Sequence, residues 1–514
     1  MKKYLRLIKK YLVLSIVLII LEALITSIIL LFPGILIDTY YKGNNHILLL
    51  LAEYIIAFSL YLLVSYFSNR IADLRRIKFE KAIKIDFFNG VMEKPYREYH
   101  LFAPAEYISM QANEITELCQ GFLSPLVAVV RSIILLFAFG TSLIIFVDFR
   151  IALIILIFSF AVILVPRITA KELSRRNSNY MNEVRNYTEY TDNCYRAFDI
   201  YDRACRETIK QKHKQELDNL LAANNFFRKL NSLSMVINGG AVEFVSVITF
   251  LIVSMLLVDG KITVGMATIA FNYSTKFMDP IYELNINFSR IKSIEAIKEK
   301  LFKIIGNKND CVKEENNQIQ ILEIKSKGIR KIIKNRELAF PDMKFCFPNK
   351  YLIVGKNGAG KSTFLKLVMG YEELDQGELL IDKGANRTEK IYYIPQNLVI
   401  FPATYEENVT MFGTYMKDNL LEYESFFPED IIKNIKGIDN AQKLSGGEKQ
   451  IIMLIRALCS EKEVIIMDEP FAAMNSKTIG RVIDKITKLE RMLIIVGHNL
   501  DEYKDEFDEV IIIQ

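Results

Sequence analysis

The sequence predicts a multidomain chain. An all-α transmembrane domain of six spans, with long helical extensions on the cytosolic side, is followed by an α/β domain carrying a phosphate-binding loop. Three observations predict this. Long apolar runs are confined to the part before residue 305. From residue 318 the pattern changes to short β runs alternating with helices, which marks a largely parallel sheet. One of those strands runs straight into a glycine-rich loop and then an apolar helix. With 51% hydrophobic and 24% charged residues, the 514-residue chain is neither disordered nor uniformly water-soluble in character. A net charge of +5 and a pI near 8.6 are mild, whereas nucleic-acid-binding domains usually exceed a pI of about 9. No nucleic-acid partner is expected. The cysteines (Cys119, Cys194, Cys205, Cys311, Cys346 and Cys459) are scattered without a CxxC pair, so neither a disulfide framework nor a zinc site is indicated.

Residues 11–32 and 47–67 are each long enough to cross a ~30 Å hydrocarbon core, which takes ~20 helical residues. No cleavage pattern follows the first, so it reads as an anchor in the bilayer. Residues 122–147 and 151–165 form a hairpin around Asp148, Phe149 and Arg150, the second arm being short. Residues 233–258 make a fifth span. Residues 262–282 make the weakest, because they contain Lys276 and Asp279; this span rests partly on parity between the two termini. The start (MKKYLRLIKK) and the segments 68–121 and 167–232 are rich in Lys and Arg, while the alternate loops hold only Lys42, Arg150 and Lys261. The positive-inside bias therefore puts the N-terminus, the long basic loops and the α/β domain in the cytosol, beneath the cytoplasmic membrane. The long loops are poor in Gly and Pro, and Tyr187, Tyr190, Tyr195 and Phe198 recur at helical spacing. They read as helices continuing past the bilayer; solvated connectors are the alternative.

The transmembrane domain is thus expected over 1–305, a polar linker over 306–317 and the α/β domain over 318–514. Its strands are expected at 318–324, 351–354, 391–394, 464–467, 493–496 and 510–513.

The chemistry lies in the second domain. Strand YLIV leads into Gly355, Lys356, Asn357, Gly358, Ala359, Gly360, Lys361, Ser362 and Thr363. Glycines let the backbone curl so that successive N–H groups and a helix N-terminus point at phosphates. Lys361 adds a charge on the β/γ-phosphates, and Ser362 a hydroxyl for Mg²⁺. This pattern arises by chance in roughly 2% of chains of this length at average composition, and the strand–loop–helix setting lowers that further. ATP and Mg²⁺ are the expected ligands. Ser445, Gly446 and Gly447 open another helix, as a second anion-binding terminus or an ordinary N-cap with a glycine turn. A buried strand, EVIIMDEP, ends in Asp468 and Glu469. Asp468 is placed to hold the metal and Glu469 to act as general base, although an acidic pair at a strand end is unspecific by itself. His498 follows strand LIIVG and, taken alone, reads as structural.

Taken together, Lys361, Gln396 (in IPQN), Ser445, Asp468, Glu469 and His498 occur in an order and spacing that resembles the nucleotide-binding domain of ABC transporters. The stretches VDGKITVGMATIAFNY and MDPIYELNINFSRIKSIEAIKEKLFKII resemble the last spans and exit helix of exporters with fused membrane and ATPase domains. The resemblance implies an ATP-hydrolysing half-transporter that dimerises, a homodimer being favoured and a heterodimer possible. ATP would lie between the Lys361 loop of one copy and Ser445, Gly446 and Gly447 of the other. It also implies that Gln396 contacts Mg²⁺ and the lytic water, that His498 contacts the γ-phosphate, and that the loops near 95–106 and 196–203 couple the domains. Asn475 stands where the family usually has Asp. The exported substrate (peptide, lipid or drug-like) is not decoded by the sequence. Two other readings are a nucleotide-sensing regulatory membrane protein without transport, and an importer on the exporter fold; vesicle uptake and its direction separate them.

Two further expectations follow. Glu22, Arg131 and Glu243 lie in apolar spans and should face the bundle interior, since a charge at the bilayer centre costs about 2.5–3.5 kcal/mol. The family's aromatic residue that stacks on adenine has no counterpart here, and Arg330, or else Ile329 or Ile332, falls nearest its place.

Overall fold

The computed structural model describes every residue except 44–45, 307–322, 334–335, 383–389, 416, 498–499 and 514. Most of the expected linker lies among the residues not described. The chain packs as two units, Met1–Glu93 with Phe102–Asn307, and Lys94–Leu101 with Lys308–Gln514.

The first unit is helical: α1 (Lys9–Tyr41), α2 (Ile47–Met92), α3 (Pro104–Phe146), α4 (Phe149–Leu164), α5 (Pro166–Arg196), α6 (Arg203–Val258), α7 (Val264–Ser293) and α8 (Glu295–Gly306). At ~1.5 Å per residue, the 46 residues of α2 and 56 of α6 span roughly 70 and 85 Å. Both exceed a ~30 Å hydrocarbon core more than twofold. The basic stretches therefore continue as helix, not as connectors. Among the described residues, α1, α2, α3 and α6 are long and apolar enough to cross a membrane. The other two expected spans fall short of that standard for a physical reason. The fourth is interrupted where Pro166, lacking an N–H, starts a new helix. In α7, Lys276 pairs with Asp279 at 3.3 Å, both well exposed. Both helices nevertheless contribute to one apolar core, with Ile151 from α4 and Tyr273, Phe277 and Ile281 from α7.

Small residues bring α1 and α7 together. A Cβ at Gly34 would fall 2.3 Å from the Gly265 carbonyl oxygen, so only glycine allows this approach. Asp38 then accepts from Thr263 Oγ1 (2.6 Å) and the Gly265 N–H (2.8 Å), closing the N-terminus of α7. Glu22 is buried and meets Arg131 Nη2 at 2.7 Å; Arg131 Nη1 also lies 4.0 Å from Glu283. Glu243 is exposed on α6.

The second unit has two sheets. β1 (Glu323–Ile333) pairs antiparallel with β2 (Arg336–Ala339), β3 (Met343–Cys346) and β5 (Gln376–Ile381). The parallel sheet has the order β6 (Ile391–Ile394), β7 (Val464–Asp468), β8 (Met492–Val496), β4 (Lys350–Gly355), β9 (Glu509–Ile513). Strands such as VIIMD and MLIIV are buried at every position, as strands covered on both faces must be. Alternate residues feed two cores. Ile465, Met467 and Ile495 enter one, and Val464, Ile466 and Ile494 the other. The short helix Tyr96–Tyr99 packs within this unit, its Tyr96 ring stacked on Tyr371 at 3.8 Å and 6°.

Candidate nucleotide site

Parallel α/β sheets place ligands beyond the carboxyl ends of their strands, and the predicted groups gather there. Val496, at the end of β8, lies opposite both Ile353 of β4 and Asp468 of β7. The glycine loop after β4 and the acidic pair after β7 therefore flank one edge. Gln396 follows β6 on the same edge. Between them is a cavity of about 720 Å³ lined by Asn357, Gly358, Gly360, Lys361, Ser362, Thr363, Gln396 and Glu469, together with Ile333, Arg336 and Leu338.

Gly358 and Gly360 hold φ of +80° and +94°, a region L-residues avoid. Helix α9 (Lys361–Val368) starts immediately after Gly360. Gly355 has a different role: its Cβ would fall 2.1 Å from the Ile513 carbonyl, so it lets β9 pack close. Neither Gly355 nor the buried Ala359 lines the cavity. Lys361 is buried, and its ammonium donates to the carbonyls of Gly355 (2.8 Å) and Lys356 (3.1 Å). The loop's own oxygens thus hold the charge in place.

Asp468 is almost fully buried, and its Oδ1 has no hydrogen-bond partner. Burial pushes this carboxyl above the usual carboxylate range, opposed by Ser362 within hydrogen-bonding reach. Tyr393 also donates to Asp468 Oδ2 at 3.4 Å. A buried carboxylate oxygen lacking a donor, beside a serine hydroxyl, is a donor set that suits a hard divalent cation. Glu469 has φ of +53°, a strained conformation for a residue with a side chain, and such strain concentrates at functional sites. Its Oε2 accepts from Gln396 Nε2 at 2.9 Å. His498 lies outside the described residues.

Ser445 does not join this cavity. It caps helix α13 (Gly446–Cys459) in a capping box with Glu448, whose carboxylate accepts from the Ser445 hydroxyl (2.7 Å) and N–H (2.9 Å). The ordinary-cap reading therefore holds within a single chain. Ser445 and Gly447 line a separate cavity of about 260 Å³ with Ala473 and Asn475. Helices α10 (Tyr405–Val409), α11 (Leu420–Glu424) and α12 (Glu429–Lys436) precede α13. Asn475 caps α14 (Ser476–Ile486), accepting from the Thr478 N–H.

Two residues of the Ser445 motif and its helix, Gln450 and Arg456, were given no role by the sequence and support the site. The buried Arg456 of α13 donates to Asn408 O (2.7 Å), Val399 O (2.8 Å) and Asn408 Oδ1 (2.9 Å), fixing the segment that follows Gln396. Gln450 accepts from the Ala473 N–H at 2.9 Å, fixing the loop after Glu469. Sequence reasoning also misjudged which residues of β1 and β2 line the cavity. Arg330 faces away and pairs with Glu337 at 2.9 Å, Ile329 is buried in a core, and Ile332 is exposed. Pairing of β1 with β2 turns Ile333, Arg336 and Leu338 to the cavity instead.

Comparison with known proteins gives two family matches: ABC transporter transmembrane region over residues 12–281, and ABC transporter over residues 342–472. The ATP-dependent lipid A-core flippase of Wigglesworthia glossinidia brevipalpis is 25% identical over 57% of this chain, which spans 55% of that protein's length. The flippase of the same name from Haemophilus influenzae is 21% identical, covering 95% of this chain and 87% of its own. The multidrug resistance-like ATP-binding protein MdlB of Buchnera aphidicola is 23% identical over 92% and 85%. Among solved structures, a bacterial Atm1-family ABC exporter with ATP bound matches 99% of this chain and 94% of its own. Its TM-score is 0.81 at 15% identity, which establishes a shared fold.

Proposed function

Because the chain belongs to the ABC transporter family, with a transmembrane region and an ATP-binding ATPase domain in one polypeptide, we propose that it is a half-transporter. Two copies would assemble and export a lipid, peptide or drug-like compound across the cytoplasmic membrane, with the N-terminus and ATPase domains in the cytosol. One observation carries the dimeric part. The phosphate loop and the Ser445 motif are both intact, yet they line separate cavities. A single chain holds two halves of different sites, and a second copy supplies the missing half of each.

In this reading the loop N–H groups and Lys361 bind the triphosphate of ATP, exchanging the lysine's bonds to Gly355 and Lys356 carbonyls for phosphate oxygens. Ser362, Gln396 and Asp468 would hold Mg²⁺, which neutralises charge on the β/γ-phosphates. Glu469 orients and deprotonates the attacking water, with Gln396 fixing the carboxylate. His498 contacts the γ-phosphate, and Ser445, Gly446 and Gly447 close over it from the other copy. The loops near 95–106 and 196–203 would couple ATP-driven closure to the transmembrane helices, as the family resemblance implies. The names of the flippase and multidrug-type relatives favour an amphiphilic cargo.

Complementation tests the shared sites. Lys361→Ala and Ser445→Arg should each be inactive as homodimers. Differently tagged and purified as mixed dimers, they carry one composite site with both defects and one with none. ATP hydrolysis should return in the mixture; silent mixed dimers would contradict the arrangement. Inside-out vesicles should hydrolyse added ATP, and sealed right-side-out vesicles should not.

A further inference from the structure

Resting on the nucleotide-site reading above, we infer that Tyr393 is a positioning residue for the metal: its phenol holds one oxygen of Asp468 so that the other stays available to a divalent cation. Strand register brings the two side chains together. β6 and β7 run parallel, with Tyr392 opposite Ile465 and Tyr393 opposite Ile466. Paired residues share a face and successive residues alternate, so Tyr393, Ile466 and Asp468 lie on one face of the sheet. Tyr392, Ile465 and Met467 lie on the other. The packing agrees, since Tyr392 lies against the core that holds Ile465 and Met467, and Tyr393 against the core that holds Ile466. Tyr371 meets the Tyr393 ring edge-on, at 6.0 Å between centroids and 77° between planes, which limits where the phenol can swing.

The two oxygens of Asp468 are not equivalent. Oδ2 accepts from the Tyr393 hydroxyl at 3.4 Å, whereas Oδ1 is buried with no hydrogen-bond partner among the described residues. The terminal torsion of an aspartate is only loosely restricted, so a buried carboxylate needs a second group to fix which oxygen it presents. At 3.4 Å the bond is long for O–H···O, and its role is to select an orientation, not to bind strongly. A phenol suits this role. It is a neutral donor at neutral pH, so it orients the carboxylate without offsetting the negative charge that attracts a cation, as a lysine or arginine would. Ser362 lies within hydrogen-bonding reach of the same carboxylate. The orphan oxygen and the serine hydroxyl are the donors assigned to Mg²⁺, and Tyr393 is the outer hydrogen-bond partner that a ligating carboxylate ordinarily has.

The test uses full-length protein carrying Glu469→Gln to suppress turnover, with Mn²⁺ as the probe and its electron paramagnetic resonance spectrum reporting the protein-bound ion. ATP is held at one saturating concentration, so free nucleotide competes for Mn²⁺ equally in every variant. Tyr393→Phe deletes only the hydroxyl. It should raise the half-saturating Mn²⁺ concentration about tenfold, the lower end of what losing an outer partner costs a metal site. Its affinity for a fluorescent ATP analogue in EDTA, and its Tm, should match the parent protein because the ring stays. Tyr393→Leu removes ring and hydroxyl together and should lose Mn²⁺ binding no less than Tyr393→Phe. Mn²⁺ binding by Tyr393→Phe that equals or exceeds the parent's, or a matching loss of ATP affinity in EDTA, would overturn the assignment. Asp468→Asn separates the two levels. If it binds Mn²⁺ like the parent, the metal site itself is misplaced, and Tyr393 with it. If it loses Mn²⁺ while Tyr393→Phe does not, the metal site stands and Tyr393 has no positioning role.

Discussion

Replacing Arg456 with Met should destabilise the ATPase unit and disable the Gln396 segment together. The guanidinium is buried and donates three hydrogen bonds, two to backbone carbonyls and one to Asn408 Oδ1. Asn408 Oδ1 would keep a donor, the Phe401 N–H at 2.9 Å. The carbonyl of the buried Asn408 would lose the arginine, at about 1–3 kcal/mol for a buried acceptor left unsatisfied. Val399 is exposed, and water can replace the arginine at its carbonyl. A loss of about 2 kcal/mol lowers Tm by roughly 4–8 °C for a domain of about 200 residues. Differential scanning fluorimetry of the purified protein would follow the transition that ATP stabilises, which marks the unit that binds it. Hydrolysis should fall more than ATP affinity, because the freed segment carries Gln396 and not the phosphate loop. Arg456→Lys should be intermediate, since one ammonium cannot bridge acceptors spread across two chain segments. A Tm shift below about 2 °C, less than one kcal/mol at this size, would show that water satisfies the carbonyls and that the arginine is no tether.

Three other outcomes are expected. Asp468→Asn should abolish Mg²⁺-dependent hydrolysis while leaving the nucleotide-free protein at least as thermostable, because it removes a buried charge whose Oδ1 has no partner; fluorimetry without Mg²⁺ checks this. Gly447→Val should eliminate hydrolysis but spare ATP binding, since even a Cβ there would lie 2.7 Å from the Ala473 carbonyl, and an ATPase rate near wild type would refute it. Arg131→Met should leave Glu22 buried without its partner, at about 3–5 kcal/mol, and Glu22→Gln in the same chain should recover most of the lost folded yield in detergent.

The legible parts of this chain were those written in local pattern. Apolar runs gave the four helices long and apolar enough to cross a membrane, and buried strands such as VIIMD gave the parallel sheet. The phosphate loop was visible because Gly355, Gly358, Gly360 and Lys361 fall close together in sequence, and the structure shows why two of the glycines are required at positive φ. The antiparallel sheet was largely missed. β1 reads EIKSKGIRKII, with charges interleaved too irregularly for a clean period of two. That omission misjudged the cavity lining, because which residues face the cavity depends on the pairing of β1 with β2, a non-local fact. The roles of Arg456 and Gln450 were hidden for the same reason, their hydrogen-bond partners lying 23 to 57 positions away in sequence.

The central claim is that the cavity at the sheet edge hydrolyses ATP with Glu469 as base, and Glu469→Gln tests it most directly. The substitution keeps the side chain's size and leaves an oxygen for the Gln396 bond, while removing the proton acceptor. Steady-state hydrolysis and equilibrium ATP binding should be measured on the same preparation. The account predicts a rate about 10²–10⁴-fold below wild type, with ATP affinity unchanged and ATP retained on an assembled dimer. Hydrolysis within a few-fold of wild type, or loss of ATP binding alongside the rate, would contradict it.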